Sequence, residues 1–147
     1  MFGSLFNSTT IPLLQKVAAF TERRQEVLAG NIANISTPDY KSRDLPVDAF
    51  KKTLQEAITQ RQQPGDPANA NWSFTAAANA DNTKLSSSDL FKASEIQGRG
   101  ITFQDGNNRN IETEVMEMTR NSMLQNIAVE LLNNQMNRLQ AVISERA

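Results

Sequence analysis

Glu112, Glu114 and Glu117 stand close together near the start of the last apolar-periodic segment. Paired carboxylates are the equipment of acid–base hydrolysis, but acidic groups in the first turns of a helix also complement its positive end. The second role needs no further residues, and no other motif supports the first. Arg23-Arg24 and Lys51-Lys52 are too few and too far apart to form a nucleic-acid stripe, and they read as solvated faces. Met116, Met118, Met123 and Met136 suit adaptable packing better than a ligand box. The chain contains neither Cys nor His. Thiol nucleophiles, disulfides, ordinary zinc sites and imidazole chemistry are therefore excluded. The expectation is a protein with no catalytic residue, no metal and no cofactor.

The elements that carry these residues belong to a chain of 147 residues, a length suited to one domain. Hydrophobic residues make up 39% but aromatics only 6%, so a thick core is not expected. Lys and Arg number 15 against 16 Asp and Glu, and a net charge of -1 gives no field to hold nucleic acid or an anionic membrane. No apolar run approaches the roughly 20 residues of a membrane span. The start, Met1 to Phe6, has neither the basic nor the long apolar region of a secretory signal. Fifteen Asn and eleven Gln supply uncharged hydrogen-bonding groups for a surface or an interface.

Periodicity divides the chain into helix, a weakly structured middle, and helix. Thr9 or Thr10 can cap a first helix with Pro12 in its first turn, where a missing amide hydrogen costs nothing. Leu13, Val17, Phe20 and Val27 form its apolar stripe, and Pro38 predicts an end near residues 34–36. A shorter helix is predicted from Asp48 to Gln62, with Phe50, Leu54, Ala57 and Ile58 on one side. Pro64-Gly65-Asp66-Pro67 then breaks the pattern. The stretch to about residue 105 reads as a loop-rich surface insertion, with Trp72-Ser73-Phe74 and Ile101-Thr102-Phe103 as candidate short strands.

The last segment carries the strongest pattern. Ile111, Val115, Met118, Ser122, Gln125, Val129, Leu132, Met136, Leu139 and Ile143 alternate steps of 4 and 3, the mark of a coiled-coil seam. A helix over 111–143 is about 50 Å long, so the expected fold is mainly α. Its long N- and C-terminal helices pack as an elongated, coiled-coil-like hairpin around a short, loop-rich middle that holds any short β-strands. The expected organisation is one unit over 1–147. It comprises an N-terminal helix at 10–35, a turn and short helix at 36–63, the insertion at 64–105 and the C-terminal helix at 106–145. Leu13, Val17, Phe20, Val27, Val115, Met118, Val129, Leu132, Met136, Leu139 and Ile143 form the candidate assembly seam, with Leu132 and Leu139 expected between helices. Two helices alone leave much apolar surface bare. Other copies could cover it, or the Phe50/Leu54/Ile58 helix could complete a monomeric bundle that serves as an adaptor or chaperone. Periodicity does not decide between them.

The run from Arg24 to Lys41 includes Asn31-Ile32-Ala33-Asn34 and, after Ile35-Ser36, Thr37-Pro38-Asp39-Tyr40-Lys41. It resembles the N-terminal signature of the flagellar rod and hook proteins, a helix ending in Asn-Ile-Ala-Asn followed by Thr-Pro-Gly-Tyr. Asp105-Gly106-Asn107 ahead of a long final helix looks most like the proximal-rod members of that family. The resemblance covers roughly residues 10–50 and 104–145. Asp39 departs from it by standing where the family usually has Gly, and Asp tolerates turn and left-handed backbone better than most residues. The resemblance implies a structural, non-enzymatic subunit of the bacterial flagellar basal-body rod that polymerises through its terminal helices and transmits torque. It implies passage through the flagellar type III export apparatus to the periplasmic space. The implied partners are copies of itself and other rod proteins, FlgC, FlgF and FliE, with no nucleic acid or small-molecule substrate. Another axial protein of the rod or hook is the alternative within the same resemblance.

The middle has little apolar content to anchor it. Deleting part of Asn69 to Asn82 is expected to leave export and assembly largely intact, as motility of the deletion strain reports. Loss of assembly with normal export would place an interface in this stretch.

Overall fold

A computed structural model describes residues 10–62, 88–96 and 111–144. The architecture is mainly helical, as the periodicity predicts: long N- and C-terminal helices pack together, with a short middle of loops and a two-stranded sheet. Helix α1 runs Ile11–Ala33, strand β1 is Arg43–Asp44, and helix α2 runs Val47–Gln62. A single 3-10 turn follows at Asp89–Phe91, then strand β2 at Ser94–Glu95 and helix α3 at Ile111–Ser144. The candidate strands at Trp72 to Phe74 and Ile101 to Phe103 lie outside the described residues, as do Asp105, Gly106 and Asn107.

Local chemistry fixes the ends of α1. Pro12 occupies its first turn, and Leu14 N–H bonds the Thr10 carbonyl at 3.1 Å. At the far end Asn34 donates twice to the Gly30 carbonyl, from its backbone N–H at 3.1 Å and its side-chain amide at 2.9 Å. The chain then leaves the helix axis through a turn closed by Thr37 N–H on the Asn34 carbonyl at 2.9 Å. Asp39, in the following turn closed by Tyr40 N–H on the Thr37 carbonyl at 3.3 Å, takes φ of 59°, the left-handed backbone that Gly adopts without cost.

Helix α3 is about 50 Å long and α1 about 35 Å. They run antiparallel: Asn31 meets Glu114, Arg24 meets Glu117, and Thr21 meets Asn121, so residue numbers rise on one helix as they fall on the other. On α3 one seam of buried or half-buried positions is Glu114, Met118, Asn121, Gln125, Ala128, Leu132, Gln135 and Leu139, at alternating steps of 4 and 3, with Thr113, Glu117 and Ser122 half-buried beside it. This seam shares one column, Met118, Gln125, Leu132 and Leu139, with the expected one. Its other column lies one residue N-terminal of the expected one.

The apolar core sits on a different face of α1. Phe20, Leu45, Phe50 and Leu90 form its buried centre, with Val17, Val27, Val47, Leu54 and Phe91 packed against them. The Phe20 and Phe50 rings stack with centroids 3.9 Å apart, and Phe91 meets Phe20 edge-on at 6.1 Å. Val17, Phe20 and Val27 thus pack into this cluster within the subunit. Leu13 is also buried. On α2 the inward residues are Phe50, Thr53, Leu54 and Ala57, whereas Ile58 is exposed. Leu90, inside the stretch expected to be a surface insertion, has no exposed surface at all. The two strands, joined antiparallel with Arg43 opposite Glu95 and Asp44 opposite Ser94, bring that segment back to the core.

Removing most of a ring at the centre of this cluster leaves a cavity that a thin core cannot refill. Phe20→Ala is expected to destabilise the subunit by about 3–5 kcal/mol, measured by chemical denaturation. A loss under about 1 kcal/mol would show that α2 is not held by this cluster.

Candidate functional site

Asn31, Tyr40, Glu114 and Glu117, all singled out in the sequence, converge where α1 ends, β1 begins and α3 starts. Arg24 is turned inward from α1. Its guanidinium forks onto Asp44, with Nε to Oδ1 at 2.8 Å and Nη2 to Oδ2 at 2.7 Å, and the same Nη2 donates to Glu117 Oε2 at 3.0 Å. One buried cation therefore ties α1 to β1 and to α3. Burial works against its charge, but bonding and attraction from Asp44, then from Glu117, outweigh that and hold the guanidinium above its ordinary pKa. The charge is permanent at any physiological pH.

Asn31, 1% exposed, uses all of its side-chain capacity. Its amide nitrogen donates to the Arg43 carbonyl at 2.7 Å and to Glu114 Oε2 at 3.0 Å. Its oxygen accepts from Arg43 N–H at 3.0 Å and from the Tyr40 hydroxyl at 3.1 Å. An amide offers two donors and two acceptor lone pairs, and here all four are occupied. One turn further on, Asn34 caps the helix and accepts from the Thr37 hydroxyl at 3.4 Å. The pair from the motif thus does two different jobs: Asn31 joins three segments, and Asn34 closes α1. Of the motif's other members, Ile32 is half-buried, while Ala33, Thr37 and Pro38 are exposed. Lys41 faces Glu95 at 3.8 Å across the strand pair in an exposed contact.

On α3 the acidic group at the helix start divides in the same way. Glu112 is exposed, while Glu114 and Glu117 turn inward to Asn31 and Arg24. Arg120 also reaches Glu117, at 3.2 Å from the solvent side. Further along, Asn121 is buried and donates to the Thr21 carbonyl at 2.7 Å and to Gln25 Oε1 at 2.9 Å. Sequence reasoning took Arg24 for a solvated charge and assigned Asn121 no role. The signal available was spacing: Thr21, Arg24, Leu28 and Asn31 follow steps of 3, 4 and 3 beside the apolar stripe.

The other functional candidates lie on the outside of α3. Ile58 apart, every large hydrophobic residue exposed among the described residues belongs to this helix, and the exposed set is spread over several of its faces. Val115, Val129, Met136 and Ile143 lie on one flank of the seam, Leu124 and Leu131 on the other, and Met116, Met123 and Ile127 on the back.

No protein-family model matches the chain. Single proteins do. The flagellar basal body rod protein FlgB of Bacillus subtilis is 29% identical over 143 residues, spanning 96% of this chain and 97% of that one. FlgB of Aquifex aeolicus is 28% identical over 137 residues, or 93% and 94% of the two chains. FlgB of Buchnera aphidicola subsp. Baizongia pistaciae is 30% identical over 121 residues, or 82% and 83%.

Burial raises the Glu114 carboxyl above its ordinary pKa and the nearby Asp44 charge adds to this, against bonds from Asn31 and Ser42 and the attraction of Arg24. A carboxyl raised by folding favours the folded state most when protonated, so its contribution is complete below the ordinary glutamate value. That contribution is lost as pH rises through the folded value. Glu114→Gln keeps an oxygen for Asn31 without the charge. It is expected to be more stable than wild type at neutral pH, with the difference closing as pH falls to the ordinary glutamate value. Denaturation midpoints across that range check it, and a variant less stable at neutral pH would show that the ionised carboxylate holds the junction.

Proposed function

The chain belongs to the FlgB family of flagellar basal body rod proteins, and we propose that it is a structural subunit of the proximal rod that polymerises through α3 and transmits torque. The observation that carries this reading is the exposed apolar surface of a 34-residue helix. Burying it against neighbours is favourable, and no chemistry is required of any residue. The partners in this reading are copies of the chain and the rod proteins FlgC, FlgF and FliE. The flagellar type III export apparatus delivers it to the periplasmic space, and neither nucleic acid nor a small-molecule substrate takes part.

The assembly surface in this reading is the outer column of the expected seam, Val115, Val129, Met136 and Ile143. Met118, Leu132 and Leu139 face the subunit's own seam. Met118 and Leu132 support assembly by holding α3 straight against α1. The family motif contributes from within. Asn31, Tyr40 and Asn34 fix the junction that orients α3, and Ile32, Ala33, Thr37, Pro38 and Lys41 shape the turn around it.

Val129 and Met136, 44% and 49% exposed, separate assembly from folding. Asp at either position meets water in the lone subunit but an apolar surface in the polymer, where an unpaired charge is costly. Val129→Asp and Met136→Asp are each expected to be exported and folded yet to build no rods, in a strain lacking the wild-type protein. Rods built normally by both variants would remove this column from the assembly surface.

A further inference from the structure

Helix α3 offers two columns beside the shared row of Met118, Gln125, Leu132 and Leu139. Glu114, Asn121, Ala128 and Gln135 are polar or small, and this is the column packed toward α1. Val115, Ser122, Val129, Met136 and Ile143 are mostly apolar, and apart from a half-buried Ser122 they stand exposed. Hydrophobic burial alone would choose the second column, and the two differ by a rotation of α3 of about 50°, the angle between neighbouring heptad columns. What opposes that rotation is polar. Turning α3 would draw Glu117 from Arg24, Glu114 from Asn31, and the Asn121 amide from the Thr21 carbonyl and Gln25. Arg24 would then face a single carboxylate in a site where it is 6% exposed.

We propose that Arg24 is the positioning residue that sets the rotation of α3, burying a polar column so that an apolar one is left facing outward. Buried polar groups are known to fix helix register at the expense of stability, and here the register chosen is the one that leaves apolar surface uncovered. Use of that surface by neighbouring subunits rests on the function proposed above; the rotation itself does not.

The chain has no cysteine, so single introduced thiols report the rotation in the full-length protein. Ala128, 2% exposed, and Val129 are adjacent in sequence and belong to the two competing columns. In an otherwise wild-type background Val129→Cys is expected to react with a maleimide about tenfold faster than Ala128→Cys, or more. Arg24→Met alone strands the Asp44 charge, so the decisive background is Arg24→Met with Asp44→Asn, which leaves only α3 carboxylates to be displaced. There the order is expected to invert, and Arg24→Lys, which keeps charge but not the fork, is expected to fall between. An unchanged order in the double variant overturns the proposal. So does loss of its helical circular dichroism, which would make Arg24 a requirement of folding rather than of rotation. Rods formed by a double variant with inverted labelling would uphold the rotation and remove the outer column from the proposed assembly surface.

Discussion

A guanidinium that is 6% exposed has to be met by carboxylates, because leaving it unpaired costs more than any single contact nearby can return. Arg24 is met from two directions, by Asp44 on the strand that follows the motif turn and by Glu117 on the C-terminal helix. Segments from the two ends of the chain are thereby brought to one point. Asn31, two helical turns further along α1, repeats the arrangement with an uncharged amide, joining the Tyr40 to Arg43 segment to Glu114. The turn between them is tight enough to place Asp39 in left-handed backbone. These contacts give geometry more than stability, since a buried ion pair returns little beyond its desolvation cost.

That geometry divides the labour of the three helices. The apolar residues of α1 are spent inside the subunit, on the stacked Phe20 and Phe50 and the closing 3-10 turn. Those of α3 are largely left outside. A protein working alone would be poorly served by such a distribution, which invites association at every encounter. For a subunit of a polymer it is coherent: a junction that orients the long helix, and a long helix whose surface is completed by neighbours. Membership of a rod-protein family supplies the setting in which that distribution is useful.

The mainly helical fold was legible in the sequence because apolar residues at helical spacing must be covered on one side, and because Pro12, Pro38 and Pro64 punctuate the pattern. The family was legible in the Asn31 to Lys41 run. The face of α3 turned inward was not legible, since counting apolar residues selects Val115, Val129 and Met136 while the fold selects Glu114, Asn121 and Ala128. Periodicity weighs hydrophobicity and is blind to a polar partner on another helix. For the same reason Arg24 read as solvated: its partners lie 20 and 93 residues away in the chain. Leu90 and Phe91 were missed because an isolated apolar pair without repeat has no period to detect.

The central claim is that polar contacts within each subunit orient α3 and that its apolar flank is covered by other subunits. A density map of the purified basal-body rod with this chain placed in it tests that most directly. The account predicts the Arg24 fork onto Asp44 and its bond to Glu117 intact inside every subunit, with Val115, Val129, Met136 and Ile143 covered by neighbouring chains. A rod in which those four residues pack against the same subunit's α1, or stand in solvent, would contradict it.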